Sequence, residues 1–285
     1  MLLPLLLAIT TFLATGASAG HVWPPPKSMH LHGDELPLAT SFSFVLEKNT
    51  SLFVKDNSRL LRSVERYTSI MSSRKNNTST TMGAALTKLA TVELQIANPA
   101  SLNAFAFSPS SSTDYSYTLS VSKGKAVCVA NSQYGLMYCM ETFSQLISVK
   151  TGNLVASNIH IQDEPMYKWR GLMIDSGRRF VPMTTLKNLM DTMSAVKMNV
   201  LHLHASDMCR FGVESKLYPN LTASLTGLHA GFYTQDDIHE LIEYAANQGI
   251  RLVPEFDGMF FFIYSLCISV LCSLFSVLCS LFVLS

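Results

Sequence analysis

The sequence has almost no excess of charge of either sign. Its 285 residues include 21 Lys and Arg against 20 Asp and Glu, which gives a formal net charge of +1. A chain this close to neutrality has no electrostatic reason to bind nucleic acid or an anionic membrane surface. The sequence also has no CxxC pair and no spacing of histidines that suggests a metal site, so we expect no metal and no cofactor.

The amino-terminal segment lacks Lys and Arg, yet it is typical of a secretory signal peptide. Residues 1–19 form an apolar stretch that ends in Ala17-Ser18-Ala19, a small-x-small cleavage site. The alternative is an uncleaved membrane anchor. It is disfavoured because the apolar stretch is shorter than the roughly 20 residues that a membrane span needs. Four N-glycosylation triplets agree with secretion; they begin at Asn49, Asn76, Asn77 and Asn220. We therefore predict a glycoprotein of the secretory pathway, in a vacuole-like or lysosome-like compartment or outside the cell.

Six cysteines fall into two groups. Three lie in the body of the chain and three near its end: Cys128, Cys139, Cys209, Cys267, Cys272 and Cys279. In an oxidising compartment Cys128 and Cys139 can form a disulfide, but two buried free thiols fit the sequence equally well. The sequence leaves both alternatives open.

Residues 20–165 mix strand and helix patterns. Residues 20–40 are rich in Pro, His and Gly and predict an extended lead-in. Alternating polar and apolar residues predict strands in "SFSFVLE", "KLATVELQIAN", "YSYTLSVS" and "KAVCVANS". Apolar residues at helical spacing predict helices in "SRLLRSVERYTSIM" and "QYGLMYCMETFSQLI". This mixture predicts a compact α+β domain that ends near Pro165.

From residue 166 onward, short apolar strands alternate with amphipathic helices. The strands are "KWRGLMIDSG", "MNVLHLHASD" and "IRLVPEFD". The first helix is predicted to begin at Pro182; the second opens with a capping box over residues 234–237 and ends before Gly249. The order β-α-β-α-β, with polar residues at the carboxyl end of each strand, is how a parallel barrel begins. Residues 166–258 therefore predict an incomplete (β/α)8 TIM barrel of about three strands.

The motifs "WRGLMIDSGRRF", "MNVLHLHASD" and "IRLVPEFD", at this order and spacing, resemble the start of a known catalytic barrel. It is that of the family 20 glycoside hydrolases, the β-N-acetylhexosaminidases, and the resemblance covers residues 167–258. The preceding domain is similar to the family's non-catalytic amino-terminal domain. The resemblance implies removal of terminal N-acetylglucosamine or N-acetylgalactosamine from glycans, and family members often dimerise. It also implies substrate-assisted catalysis, in which the acetamido oxygen of the sugar is the nucleophile and a Glu is the general acid.

The resemblance assigns roles to two residues. Arg178 matches the arginine that binds the sugar hydroxyls, a task suited to a planar and always charged set of donors. Its alternative role is a salt bridge at the rim of the barrel. Asp207 matches the aspartate that orients a histidine behind the general acid, and its alternative role is a helix or loop cap.

The neighbouring motif residues depart from the family in part. His202 and His204 share one face of their strand, and we expect His202 to be a buried, hydrogen-bonded core residue. Glu255 and Asp257 precede the point where the family has a "PGH" turn, whereas this chain continues with "GMF". The resemblance therefore implies that Asp207 lacks its partner histidine. Met208 stands where the family commonly has a second acid.

The hydrophobic tail, residues 259–285, contains no charged side chain and repeats "SVLCSLF" in tandem. The catalytic Asp-Glu pair of the family would follow the point where the resemblance stops, so we expect little or no glycosidase activity. We interpret the tail as translated non-coding sequence. As an alternative, a helix of about 40 Å could insert into a membrane and anchor a non-catalytic glycan-binding or decoy protein. A GPI signal is disfavoured because no polar spacer precedes the tail.

Overall fold

The computed structural model describes residues 22–50, 58–75, 88–97, 109–122, 124–150, 153–207, 210–223, 225 and 230–257. The chain divides into two compact units. The first runs up to Gly171 and includes residues 187–200 and 242–251; the second takes in residues 172–186, 201–241 and those from Leu252 onward. The predicted signal peptide, the tail 259–285, Met208, Cys209 and the triplets at Asn76 and Asn77 lie outside the described residues.

The first unit is built on a six-stranded mixed sheet. Its strands are β1 Ser28–Leu46, β2 Leu89–Ile96, β3 Tyr117–Ser122, β4 Lys125–Ala130, β5 Ile147–Lys150 and β6 Asn153–Asp163, in the spatial order β1-β2-β4-β3-β6-β5. The long strand β1 pairs twice, because its first half runs antiparallel to β6 and its second half runs parallel to β2. Apolar side chains that alternate along the strands, such as Leu94, Leu119 and Ile161, are fully buried.

Among the described residues, two helices lie wholly within this unit: α1 Ser58–Lys75 and α2 Gln133–Gln145. The backbone N–H of Gly135 donates to Oγ of the N-cap residue Ser132 at 3.0 Å. A disulfide joins Cys128 of β4 to Cys139 of α2, with Cα atoms 6.1 Å apart. The structure therefore decides between the two alternatives that the sequence left open.

The predicted helices and strands of this unit are present, with two differences. Residues 28–40 are extended as predicted, but they form half of a paired strand rather than a lead-in. The hairpin of β5 and β6 is not predicted from the sequence, because only its second half, around Ile159 and Ile161, alternates between buried and partly exposed residues.

A second sheet contains β7 Gly171–Asp175, β8 Val200–Asp207, β9 Arg210–Phe211 and β10 Arg251–Phe256, in the order β10-β8-β7, with β9 antiparallel to β8. The helices between these strands are α3 Met183–Ala195, α4 Asn220–Ala223 and α5 Gln235–Asn247. The order β7-α3-β8-α5-β10 confirms the predicted β-α-β-α-β pattern. Within the described residues, no helix is both long and apolar enough to span a membrane.

The start of α5 confirms the predicted capping box. The backbone N–H of Asp237 donates to Thr234 Oγ1 at 3.1 Å, and the backbone N–H of Thr234 donates to Asp237 Oδ2 at 2.8 Å. At the other end, Gly249 adopts a φ of +74° and follows the helix as its stop signal. Both ends of this helix are thus set by local sequence.

Hydrogen bonds at the starts of β7, β8 and β10 show that these three strands run in one direction. In the first unit, the backbone N–H of Asn199 donates to Arg170 O at 3.0 Å, and that of Arg251 donates to Asn199 O at 2.9 Å. The strands β7, β8 and β10 begin beside these residues. In the second unit, the backbone N–H of Ser176, just after β7, donates to His204 O on β8 at 2.9 Å. Starts therefore pair with starts and ends with ends, as in a parallel sheet.

A buried polar network lies in the first unit. Nζ of Lys197, whose side chain is 5% exposed, contacts Asp163 Oδ2 and Tyr117 Oη at 2.8 Å each. The backbone O of Lys197 accepts hydrogen bonds from Tyr138 Oη at 2.9 Å and Arg170 Nε at 2.8 Å. Lys197 has a φ of +58°, a conformation that few residues other than glycine adopt. The network holds both the side chain and the backbone of this residue, which lies just before β8.

Candidate functional site

The candidate site lies in the second unit, at the carboxyl ends of β7, β8 and β10. Parallel strands bring their carboxyl ends to one edge of a sheet, where polar residues from different strands meet. Here β7 ends at Asp175, β8 ends at Asp207, and β10 supplies Glu255. The sequence motifs predict this convergence, and the structure shows it.

A tight turn after β7 brings Arg178 to the end of β8. The backbone N–H of Gly177 donates to His204 O at 2.8 Å. A Cβ on Gly177 would lie 2.7 Å from the carbonyl carbon of Ser206, too close for any other residue without backbone movement. Glycine at this position therefore lets the turn approach β8.

Arg178 is held by two carboxylates. Its Nε lies 2.6 Å from Asp207 Oδ2 and 3.3 Å from Asp175 Oδ2, and its backbone N–H donates to Asp175 Oδ1 at 3.1 Å. The hydrogen bond and the charge of Asp207 raise the pKa of Arg178 further above its ordinary value. The side chain remains 75% exposed, so the guanidinium is anchored along one edge while most of it faces solvent.

Asp207 therefore has an arginine partner and approaches a histidine only loosely. His204 Nε2 lies 3.7 Å from Asp207 Oδ2, which is longer than a hydrogen bond. The salt bridge proposed as the alternative role of Arg178 is present, and its partner is Asp207 as well as Asp175. The sequence motifs predict that Arg178 and Asp207 lie near each other, but they do not predict this ion pair.

Glu255 bridges the two histidines of β8. Its Oε2 lies 2.7 Å from His202 Nε2 and 3.1 Å from His204 Nδ1. The expectation that His202 is the buried core histidine is wrong, because its side chain is 30% exposed whereas that of His204 is 11% exposed. His202 and His204 point to the same face, as their alternation predicts, but His204 lies at the middle of the cluster and is covered by it.

The bridge shifts the pKa values of its members in opposite directions. Burial by itself would lower the pKa of His204, but the hydrogen bond to Glu255 and its charge outweigh burial and raise this pKa above 6.5. The hydrogen bond from His204, with a second from His202, lowers the pKa of Glu255 below its usual range. The cluster therefore favours an ionised Glu255 beside protonated His204.

Two groups in this cluster have metal-ligand chemistry. Asp175, His204 and Asp207 form one, and His204, Glu255 and Asp257 form the other, with donor atoms within 4.8 Å of one another in each. The sequence does not predict these groups, because each combines residues from two segments that are far apart in the chain. Arg178 already supplies a positive charge to Asp175 and Asp207, so the first group is partly neutralised without an ion.

Three supporting residues carry no signal in a single sequence. Ser176 Oγ donates to the backbone O of His204 at 3.0 Å, and Ser206 Oγ accepts from the backbone N–H of Asp257 at 3.0 Å. The buried side chain of Arg210 donates through Nε to Ser176 O at 2.9 Å. These bonds hold the strand ends in place beneath the charged cluster.

Comparison with known proteins relates both units to one enzyme family. Residues 167–258 match the family model for the glycosyl hydrolase family 20 catalytic domain, and residues 22–146 match the model described as beta-acetyl hexosaminidase like. Beta-hexosaminidase subunit A2 of Dictyostelium discoideum is 40% identical over 146 residues, which is 50% of this chain and 27% of the relative. Beta-hexosaminidase 1 of Arabidopsis thaliana is 30% identical over 278 residues, which is 90% of this chain and 49% of the relative.

A solved structure has a similar fold. The chitobiase of Flavobacterium johnsoniae superposes with a TM-score of 0.66 at 26% identity, over 83% of this chain and 34% of the chitobiase. The chain thus spans between about a quarter and about half of the length of the relatives that it matches.

These matches place the chain among the glycoside hydrolases, and the likeness to its structural neighbours implies a fold of the TIM-barrel-containing type. Within that class, the chain belongs to glycosyl hydrolase family 20, the β-N-acetylhexosaminidases. The family that the motifs of β7, β8 and β10 resemble is therefore confirmed.

Proposed function

We propose that the strand-end cluster is the sugar-binding part of a β-N-acetylhexosaminidase site, for glycans that end in N-acetylglucosamine or N-acetylgalactosamine. The strand-end cluster consists of Asp175, Arg178, His202, His204, Asp207 and Glu255. Family membership and the names of the relatives support this substrate class. On this proposal, β7, β8 and β10 are the first three strands of a (β/α)8 barrel. Their convergent carboxyl ends, where such barrels bind substrate, support that assignment.

Arg178 is the substrate-binding residue in this proposal. Its guanidinium donates hydrogen bonds to a pair of sugar hydroxyls. Asp207 and Asp175 are positioning residues, because they hold Nε of Arg178 at 2.6 and 3.3 Å and so fix the plane of the guanidinium. Preorganisation of this kind reduces the side-chain entropy that is lost when the sugar binds.

We further propose that this polypeptide has little or no glycosidase activity by itself. A general acid must carry a proton at the working pH, which requires a raised pKa. Glu255 has the opposite property, because hydrogen bonds from His204 and His202 lower its pKa. The geometry carries the proposal: Glu255 Oε2 lies 2.7 Å from His202 and 3.1 Å from His204, and Asp207 Oδ2 lies 2.6 Å from Arg178, so both carboxylates are held by donors of the chain rather than placed to deliver a proton.

Two assays on the purified chain test binding and turnover separately. Saturation-transfer NMR with N-acetylglucosamine measures binding, and hydrolysis of a chromogenic N-acetylglucosaminide measures turnover. We expect binding that is lost in Arg178→Ala and unchanged in Arg62→Ala, whose guanidinium contacts Asn247 in the first unit. We expect no turnover above background in any of the three proteins.

The outcomes separate the two parts of the proposal. Turnover that disappears in Arg178→Ala would show that a complete site assembles, and the inactivity would be refuted. Equal N-acetylglucosamine signals in the parent chain and in Arg178→Ala would refute the binding role of Arg178. A folded state for each protein is established first by circular dichroism.

We also propose that the chain enters the secretory pathway. The disulfide between Cys128 and Cys139 supports this, because such bonds persist mainly in oxidising compartments. Expression in eukaryotic cells, followed by sequencing of the mature amino terminus, tests the proposal. Cleavage after Ala19 supports it, and retention of Met1 on a cytosolic product contradicts it. Carbonate extraction of the same cells tests the alternative of a membrane-anchored glycan-binding or decoy protein.

A further inference from the structure

Two large apolar side chains are exposed in the loop after β9. Leu217 is 85% exposed and Tyr218 is 67% exposed, and both belong to the second unit. Together they form a small apolar surface that is in contact with solvent. Neither residue takes part in the strand-end cluster.

A glycosylation triplet follows this apolar pair directly. Asn220 is the first residue of α4 and is exposed, and Thr222 completes the triplet. Leu221 N–H donates to Tyr218 O at 3.1 Å, and Thr222 N–H and Oγ1 both contact Pro219 O, at 3.3 and 3.2 Å. These bonds form one compact turn in which Thr222 is buried while Asn220 and Tyr218 face solvent.

The triplet that begins at Asn49, whose acceptor asparagine is also described, is less favourable for glycosylation. Asn49 is also exposed, but its middle residue Thr50 is fully buried and accepts a hydrogen bond from Ile96 N–H at 2.8 Å. Its third residue is Ser51 rather than threonine, and no aromatic residue lies two positions before Asn49. In contrast, Asn220 follows an exposed tyrosine at that spacing.

We propose that Asn220 carries an N-linked glycan whose first sugar covers the side chains of Leu217 and Tyr218. The amide nitrogen of Asn220 forms a bond to the anomeric carbon of a lipid-diphosphate-linked oligosaccharide. The bond between that carbon and the diphosphate oxygen breaks, the diphosphate leaves with the electron pair, and the amide proton passes to the transferase. This modification requires entry into the secretory pathway, which is itself proposed above.

The exposed tyrosine gives the attached sugar a surface on which to pack. An aromatic ring presents a flat apolar face, and the C–H face of a pyranose can cover it without losing its hydroxyl contacts with water. The glycan therefore screens two apolar side chains that would otherwise remain in contact with solvent, and its benefit depends on Tyr218.

Glycopeptide mass spectrometry of the chain secreted by eukaryotic cells measures occupancy at Asn220. The chain is expressed with its own leader and, separately, with an independent signal peptide. We expect glycan on the peptide that contains Asn220, and a loss of one glycan in Asn220→Gln. Asn49→Gln is the matched control, and it is expected to leave occupancy at Asn220 unchanged.

The two leaders separate failure of the glycan proposal from failure of secretory entry. An unmodified Asn220 in a chain secreted with the independent leader overturns the proposal. Modification with the independent leader but not with the chain's own leader supports the glycan proposal and refutes natural entry into the secretory pathway.

Thermal unfolding tests the packing of the sugar. Enzymatic removal of the glycan is expected to lower the Tm by roughly 2–4 °C in the parent chain, which corresponds to one aromatic contact in a protein of this size. In Tyr218→Ala the same treatment is expected to change the Tm by less than half as much. Equal shifts in the two proteins would overturn the assignment of Tyr218 as the packing surface.

Discussion

Replacement of Lys197 by methionine tests how much the buried network contributes to stability. The substitution keeps the length and most of the volume of the side chain but removes its charge. It leaves Asp163 without the ammonium group that lies 2.8 Å away, in a site where the two side chains are 5% and 11% exposed. Tyr117 Oη at 2.8 Å and the backbone N–H of Lys27 at 3.3 Å continue to donate to Asp163, so the carboxylate loses its only charged partner among the three that the structure describes.

The expected cost follows from the burial of the pair. Removal of one partner from a buried ion pair typically costs about 3–5 kcal/mol, because the remaining charge is desolvated and uncompensated. For a chain of this size, each kcal/mol lowers the Tm by about 2–4 °C. Lys197→Met is therefore expected to lower the Tm by roughly 6–20 °C.

Calorimetric or circular-dichroism melts of the parent chain and of two variants provide the assay. Lys125→Met is the matched control, since Lys125 pairs with Glu93 at 3.1 Å but its side chain is 62% exposed. Exposed ion pairs contribute about 0–1 kcal/mol, so this variant is expected to melt within a few degrees of the parent. The difference between the two variants isolates the effect of burial.

The reasoning fails if Lys197→Met destabilises the chain no more than Lys125→Met. A double-mutant cycle with Asp163→Leu sharpens the result. If the charge pair is responsible, the double variant should be more stable than Lys197→Met alone, because no unpaired carboxylate remains. If the double variant is less stable than either single variant, packing rather than charge explains the loss.

Three further predictions concern other contacts. Reduction of the Cys128–Cys139 disulfide, which spans 11 residues of sequence, should lower the free energy of unfolding by about 2–3 kcal/mol; denaturant melts with and without reductant measure this, and coincident curves would contradict it. Thr234→Ala removes the helix cap of α5 and should cost about 1 kcal/mol, whereas Thr234→Ser should cost little. Folding raises the pKa of His204 above 6.5, so protonated His204 stabilises the folded chain fully below about pH 6.5, and this contribution is lost as the pH rises through the raised pKa. Melts between pH 6 and 9 should show this loss in the parent chain and not in His204→Asn. Parallel pH profiles of the two proteins would refute the contribution of His204 to stability.

The helices, and the strands β7, β8 and β10, could be predicted because each is signalled by a short stretch of sequence. The capping box at Thr234 and the stop at Gly249 each depend on a few consecutive residues, and both are present in the structure. The hairpin of β5 and β6 could not be predicted in the same way. Its second strand, β6, pairs with β1 and β3, which are distant in the chain, and that pairing stabilises a segment whose own pattern is weak.

The candidate site, too, could be predicted only in part. Its location could be predicted, because each polar residue follows a short apolar strand and parallel strands gather their carboxyl ends. The partners of each residue within the site could not be predicted, since Asp207 can reach either a histidine of its own motif or the arginine that follows β7. The roles of His202 and His204 were also beyond prediction, because their alternation places both on one face and only neighbouring strands decide which is covered.

The sequence by itself determined the family, the order of the elements and the residues at the strand ends, because these features depend on motifs and periodicities within short segments. Tertiary structure alone decided the charge pairing of Arg178 with Asp207, the bridge from Glu255 to two histidines, and the burial of Lys197 with Asp163. These interactions depend on distances between segments that are far apart in the chain, and on the water that folding removes between them. Both quantities are fixed only when the segments pack.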